Sequence, residues 1–200
     1  MRNLFPAACA LALWTLHTYV FERFAITPAQ LAESVASQMV LAMSLERAGN
    51  VALCVRILED IERLHPGNYD VHHELGMLRR DADPPALSES IRQFSMALAI
   101  RPRSPHAIVD LAQVFLLAED VPAAERLLVE ARRLDLAYAP AWLYLGAIRA
   151  GQRDFAAAEG ILRKSIELDP GPWQPHVNFG MTLRALGRPE EAATAFREAV

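Results

Sequence analysis

Apolar positions along this chain follow two different patterns. From Leu4 to Phe21 they run almost without a break, interrupted only by Thr15, His17 and Thr18 and bounded by Arg2 and by Glu22-Arg23. From residue 35 onward they recur at helical spacing, in stretches that close at proline. Ile61-Glu62-Arg63-Leu64-His65-Pro66, Leu98-Ala99-Ile100-Arg101-Pro102 and Ile166-Glu167-Leu168-Asp169-Pro170 end three of these stretches. Leu134-Asp135-Leu136 ends a fourth without its proline. The step is 34 residues apart from one of 36, because Pro66 to Pro102 is 36 and Pro102 to Pro170 is 68, or twice 34. A step of that size fits one helix–turn–helix pair. The pattern predicts units 35–68, 69–104, 105–138, 139–172 and an incomplete 173–200, giving about ten repeat helices and no strand.

The helix punctuation agrees with this division. Thr27-Pro28-Ala29-Gln30 has the form of a capping box with a first-turn proline, which starts the first repeat helix near Pro28 and makes residues 25–34 its connecting start. Pro85, Pro122 and Pro189 fall at or near the first turns of second helices, where a missing N–H costs little. Glu125, Arg126, Glu130 and Arg133 form an ordinary solvated face.

Residues 139–172 give the clearest unit. Trp142, Leu145 and Gly146 stand at its fourth, seventh and eighth places, Asp154-Phe155 open its second helix, and Ala158 and Pro170 fall at the twentieth and thirty-second. This resembles the tetratricopeptide repeat. The likeness continues through Gly180, Gly187, Ala192, Phe196 and Ala199, through Leu111, Phe115, Ala124 and Ala131, and through Leu75-Gly76, Phe94, Ala97 and Pro102. In the first unit Leu41, Gly49 and Pro66 fit, but Ala42 replaces the glycine and Cys54 the alanine. The resemblance implies an all-α, right-handed solenoid of stacked antiparallel helix pairs. Glycine at the eighth place and alanine at the twentieth are small because the two helices cross closely there.

The family resemblance also implies a concave groove lined by the first helices, which receives a partner peptide or helix. The groove places here carry Met39, Met43, His73, Met77, His106, Val109, Gln113, Leu143, Tyr144, Val177, Asn178, Met181 and Arg184, with Glu46 and Arg80 beside them. Methionine suits such a surface because its thioether repacks easily. Chaperone-binding members of the family hold a carboxylate with Lys and Asn at groove places. Only Asn178 matches, so that motif is not expected here.

The apolar run Leu4–Phe21 rises about 27 Å as a helix, marginally enough for the hydrocarbon core. Residues 1–24 therefore read as a membrane anchor or signal segment. Arg2 places the amino terminus in the cytoplasm and the repeats outside, on the periplasmic side of a bacterial inner membrane. Cleavage and release into the periplasm is the alternative; a third reading makes the run the last span of a larger polytopic protein. In that case the repeats are the tail of a membrane glycosyl-transfer enzyme of the O-antigen ligase or polymerase type. Val200 stands at the twenty-eighth place of its unit, so the natural product is expected to continue, or residues 173–200 to fray.

Composition narrows the chemistry. At 52% hydrophobic the chain can bury a core, and a net charge of −4 with interspersed signs gives nucleic acid no basic stripe. Lys164 is the only lysine, a bias of GC-rich bacterial genomes. Cys9 and Cys54 are 45 positions apart and match no metal or redox spacing. No nucleophile, phosphate-loop or zinc motif is present, so no enzyme, cofactor, metal or small-molecule substrate is expected. His72 and His73 are adjacent and point roughly 100° apart on a helix, so they cannot share a metal. His72 is expected to lean toward the partner helix of its own unit and His73 into the groove, where His106 of the next unit could approach it. Both are read as partly solvated.

Overall fold

The computed structural model describes residues 34–199. The apolar run Leu4–Phe21 and the capping box at Thr27 lie outside them, as does Val200. Ten helices follow in order: α1 Val35–Arg47, α2 Val51–Leu64, α3 Tyr69–Arg80, α4 Leu87–Ile100, α5 Pro105–Leu117, α6 Val121–Leu134, α7 Ala139–Gly151, α8 Phe155–Leu168, α9 Trp173–Ala185 and α10 Pro189–Glu198. No strand occurs among the described residues, and no helix there is long and apolar enough to cross a membrane. The chain divides into two compact units between Leu78 and Arg79.

The first unit packs α1, α2 and most of α3 around Ala42, Leu45, Cys54, Leu58, Ile61, Val71, Leu75 and Leu78. Among the described residues its first helix starts at Val35. Ser34 is extended, at φ −80 and ψ 124, and its hydroxyl accepts the Ser37 N–H, so the local serine supplies the N-cap. Cys54 fills the alanine place at 1% exposure. Burial first, then the charges of Glu46 and Glu74, push its thiol up to about 11, which keeps it protonated and unreactive.

The second unit holds α4 to α10, with α5–α6, α7–α8 and α9–α10 as antiparallel pairs. Ile108, Val109, Ala112, Ala124, Leu128, Ala131, Ala141, Leu145 and Ile148 form one core, and Leu183, Ala192 and Ala195 another. Two glycines mark the tightest approaches. A Cβ on Gly146 would lie 2.6 Å from Leu162 Cγ, and one on Gly180 would lie 2.7 Å from Phe196 Cε1. The alanines at the twentieth place, Ala124, Ala158 and Ala192, are buried. Ser165 stitches α8 to α7 by donating to the Ala139 carbonyl at 3.1 Å.

Four turns between paired helices have a left-handed residue at the fifteenth place: Gly49 (φ 78), Glu119 (φ 60), Arg153 (φ 63) and Gly187 (φ 77). These turns adopt this conformation whether or not glycine supplies it. Pro122 and Pro189 sit in the first turns of α6 and α10 as expected. Pro85 lies just before the first turn of α4, which begins at Leu87 with Ala86 as its N-cap.

Candidate functional site

The first helices of the second unit present a mixed polar and apolar surface. Its most built feature surrounds Arg80, whose side chain is only 11% exposed. Arg80 grips Asp81 with Nε and Nη2 at 2.7 and 3.0 Å. Its Nη1 reaches Gln113 Oε1 at 3.2 Å and Asp110 Oδ1 at 3.5 Å, and Gln113 Nε2 donates to the same Asp110 oxygen at 3.2 Å. The hydrogen bonds to Asp81, then the charges of Asp81 and Asp110, raise the guanidinium pKa against the opposing effect of burial. Arg80 is thus a neutralised part of the floor and no free receptor for a carboxylate.

Tyr144 on α7 lies beside this knot. Burial raises its phenol pKa, Arg80 opposes that rise and Asp110 adds to it. Its ring packs against the core around Leu145, so Tyr144 is both surface and support. Leu143, Val177 and Asn178 are partly exposed, whereas Met181 is 51% exposed and Arg184 is exposed. By helical register Val177, Asn178, Met181 and Arg184 share one side of α9. His106 stands at the start of α5 with its ring 4.6 Å from that of Tyr138.

Val109 does not belong to the surface. At 1% exposure it is buried between α5 and its neighbours, because the helix face that the register assigns to the groove has already turned inward there. In the first unit Met39 packs against the core, Met43 is 37% exposed, Met77 is partly exposed, and His73 stacks on Tyr69 at 5.7 Å between ring centroids.

His72 departs further from the sequence reading. It is fully buried rather than partly solvated, and it meets the preceding helix α2. Its Nε2 donates to the Pro66 carbonyl at 2.8 Å and its Nδ1 lies 3.6 Å from Glu62 Oε1 of α2. The same fourth place carries Trp142, which donates to the Leu136 carbonyl at 3.0 Å, and His176, which donates to the Pro170 carbonyl at 3.0 Å. In each case a ring N–H satisfies the carbonyl six residues back and ties the helix start to the incoming loop. The recurrence of ring donors at one repeat place was visible in the sequence; their common acceptor was not.

Charged staples join successive pairs. Arg149 of α7 pairs with Glu125 of α6, and Arg188 before α10 reaches Glu159 of α8 at 2.9 Å while holding Glu191. Arg132 lies over the Trp142 ring at 5.1 Å. No cluster of three His, Cys, Asp or Glu able to hold a metal occurs among the described residues.

Comparison with known proteins agrees with this architecture. The tetratricopeptide repeat family profile matches residues 109–171. No curated protein matches the chain by sequence. Among solved structures, the fold is similar to MamA from Desulfovibrio magneticus RS-1, with TM-score 0.67 and 18% identity over 87% of this chain and 94% of that one. A second MamA structure matches with TM-score 0.64 and 20% identity over 79% of this chain and 91% of that one. TTC0263, a thermophilic tetratricopeptide protein of Thermus thermophilus, matches with TM-score 0.69 and 17% identity over 83% and 90%. The described part of this chain therefore has the tetratricopeptide-repeat fold, and residues 109–171 carry that family's repeat.

Proposed function

We propose that this protein is a non-catalytic interaction scaffold that receives a partner peptide or helix on the first-helix face of residues 79–199. One observation carries the reading: exposed Met181 and partly exposed Leu143 and Val177 stand beside a polar knot that is already satisfied internally. Such a surface offers apolar anchors with a few hydrogen-bonding groups, Tyr144 and Asn178 among them, and leaves little net charge to attract a charged tail.

The scaffold is tethered through residues 4–21 to a bacterial inner membrane, with its repeats on the periplasmic side. This part of the proposal rests on the apolar run and on Arg2. A topology reporter fused after Val200 tests it, and activity confined to the cytoplasm would reverse the orientation.

Partner capture by the full chain tests the surface. Met181→Glu places a charge among the apolar anchors and should reduce retention of the partner roughly tenfold or more while the fold melts as before. Retention unchanged in a folded Met181→Glu protein would move the site off this face.

A further inference from the structure

His176 occupies a position that only one of its two charge states satisfies on both nitrogens. The ring is buried at 4% exposure in the first turn of α9. Its Nε2 lies 3.0 Å from the Pro170 carbonyl, and a carbonyl only accepts, so Nε2 carries the proton. In the neutral ring Nδ1 is then a bare lone pair. That atom is buried and has no hydrogen-bond partner. Glu198 Oε2, at the end of α10, lies 3.4 Å from it. A lone pair and a carboxylate facing each other repel, whereas a protonated Nδ1 between them makes a charge-assisted bond.

We propose that His176 is a proton-operated staple: when protonated it bridges the Pro170 carbonyl and the Glu198 carboxylate and fastens the end of α10 to α9. The neutral ring keeps the loop bond and releases Glu198 to solvent, where its side chain is already 59% exposed. Histidine is the side chain whose ordinary charge change falls nearest physiological pH.

The surroundings single out Glu198 as the group that decides. The positive end of the α9 dipole disfavours a cation in its first turn, so imidazolium needs a nearby anion. From α8, Arg163 lies over the Phe179 ring and Lys164 pairs with Glu167. At the opposite end of α10, Arg188 holds Glu159 and Glu191.

The position matters because α10 buries only the small side chains Ala192 and Ala195, with Phe196 packed on Gly180, so a bond at Glu198 adds a polar hold on α9. The ring also anchors the first turn of α9, the helix that carries Val177, Asn178 and Met181. Deprotonation therefore loosens the helix pair behind that face. Trp142 holds the equivalent place in the preceding pair with a ring that does not titrate.

Hydrogen exchange of the full chain at about pH 5.5 and 7.5, corrected for intrinsic exchange rates, tests the staple. Amides of 192–198 should be roughly two- to fivefold better protected at the lower pH, the effect expected of a partly exposed ion pair. Glu198→Gln removes the anion at an exposed position and should abolish that difference. His176→Gln keeps a donor for the Pro170 carbonyl, does not titrate, and should abolish it too. A difference absent from the parent protein, or surviving in either variant, overturns the proposal.

Discussion

The pairs α7–α8 and α9–α10 share one backbone plan and fill it differently. Both cross closely at a glycine, Gly146 against Leu162 and Gly180 against Phe196. Both tie their first turn to the preceding loop by a ring N–H, from Trp142 in one and His176 in the other. Yet α8 is stitched by Ser165 to Ala139, while α10 leans on a half-buried phenylalanine. The turn residue is Arg153 in the first pair and Gly187 in the second. The backbone frame thus fixes which places must be small, ring-bearing or left-handed. The identity of the residue at each place then sets how firmly the pair is held and what it responds to.

That contrast can be tested by substitution, with urea unfolding followed through tryptophan fluorescence. The largest effect is expected at the crossing. Leu162→Ala opens a cavity beneath Gly146 and should cost about 2–5 kcal/mol, while Phe196→Ala, half-buried in the other pair, should cost visibly less. Equal losses would mean the two crossings are equivalent.

Filling the glycines comes next. Gly146→Ala forces Leu162 aside at its branch carbon and should cost about 1–3 kcal/mol of overpacking, offset by about 1 kcal/mol of helix propensity. Gly180→Ala meets the edge of the Phe196 ring, which can shift toward solvent, and should be milder. A stabilised Gly146→Ala protein would refute the close approach.

The turns give effects of opposite sign. A Cβ on Gly187 would meet nothing within 4 Å, so Gly187→Ala should cost about 1 kcal/mol through its φ of 77 alone. Arg153→Gly relieves the same conformation and should gain about 0.5–1 kcal/mol. Loss of stability in Arg153→Gly would show that its side chain contributes more than its backbone costs.

The smallest effect is expected at the surface. Met181→Ala should change stability by about 0.5 kcal/mol or less, because half of the side chain is already in water. Tyr144→Ala should cost more, since its ring packs against the core around Leu145. The sequence register alone treated these two as equivalent groove residues.

Some of this protein was determined by the order of its residues. The 34-residue step, the small residues at Gly146, Ala158 and Gly180, and the helix-starting prolines Pro122 and Pro189 follow from local rules. Each concerns a residue and the few neighbours within one helix pair, and repetition averages away accidents. Sequence order also placed Met181, Asn178 and Tyr144 on first helices of their pairs.

Other features were decided only in three dimensions. The inward turn of Val109, the burial of His72 against α2 and the knot of Arg80 with Asp110 and Gln113 join residues up to 33 positions apart. Helical register fixes the direction of a side chain to within a fraction of a turn, but not which neighbour it meets. A polar group at such a boundary is settled by the nearest partner that can satisfy it, as Pro66 does for His72 and Pro170 for His176. Those partners are loop carbonyls, which the sequence writes identically at every residue, so only the folded chain shows which of them a ring will reach.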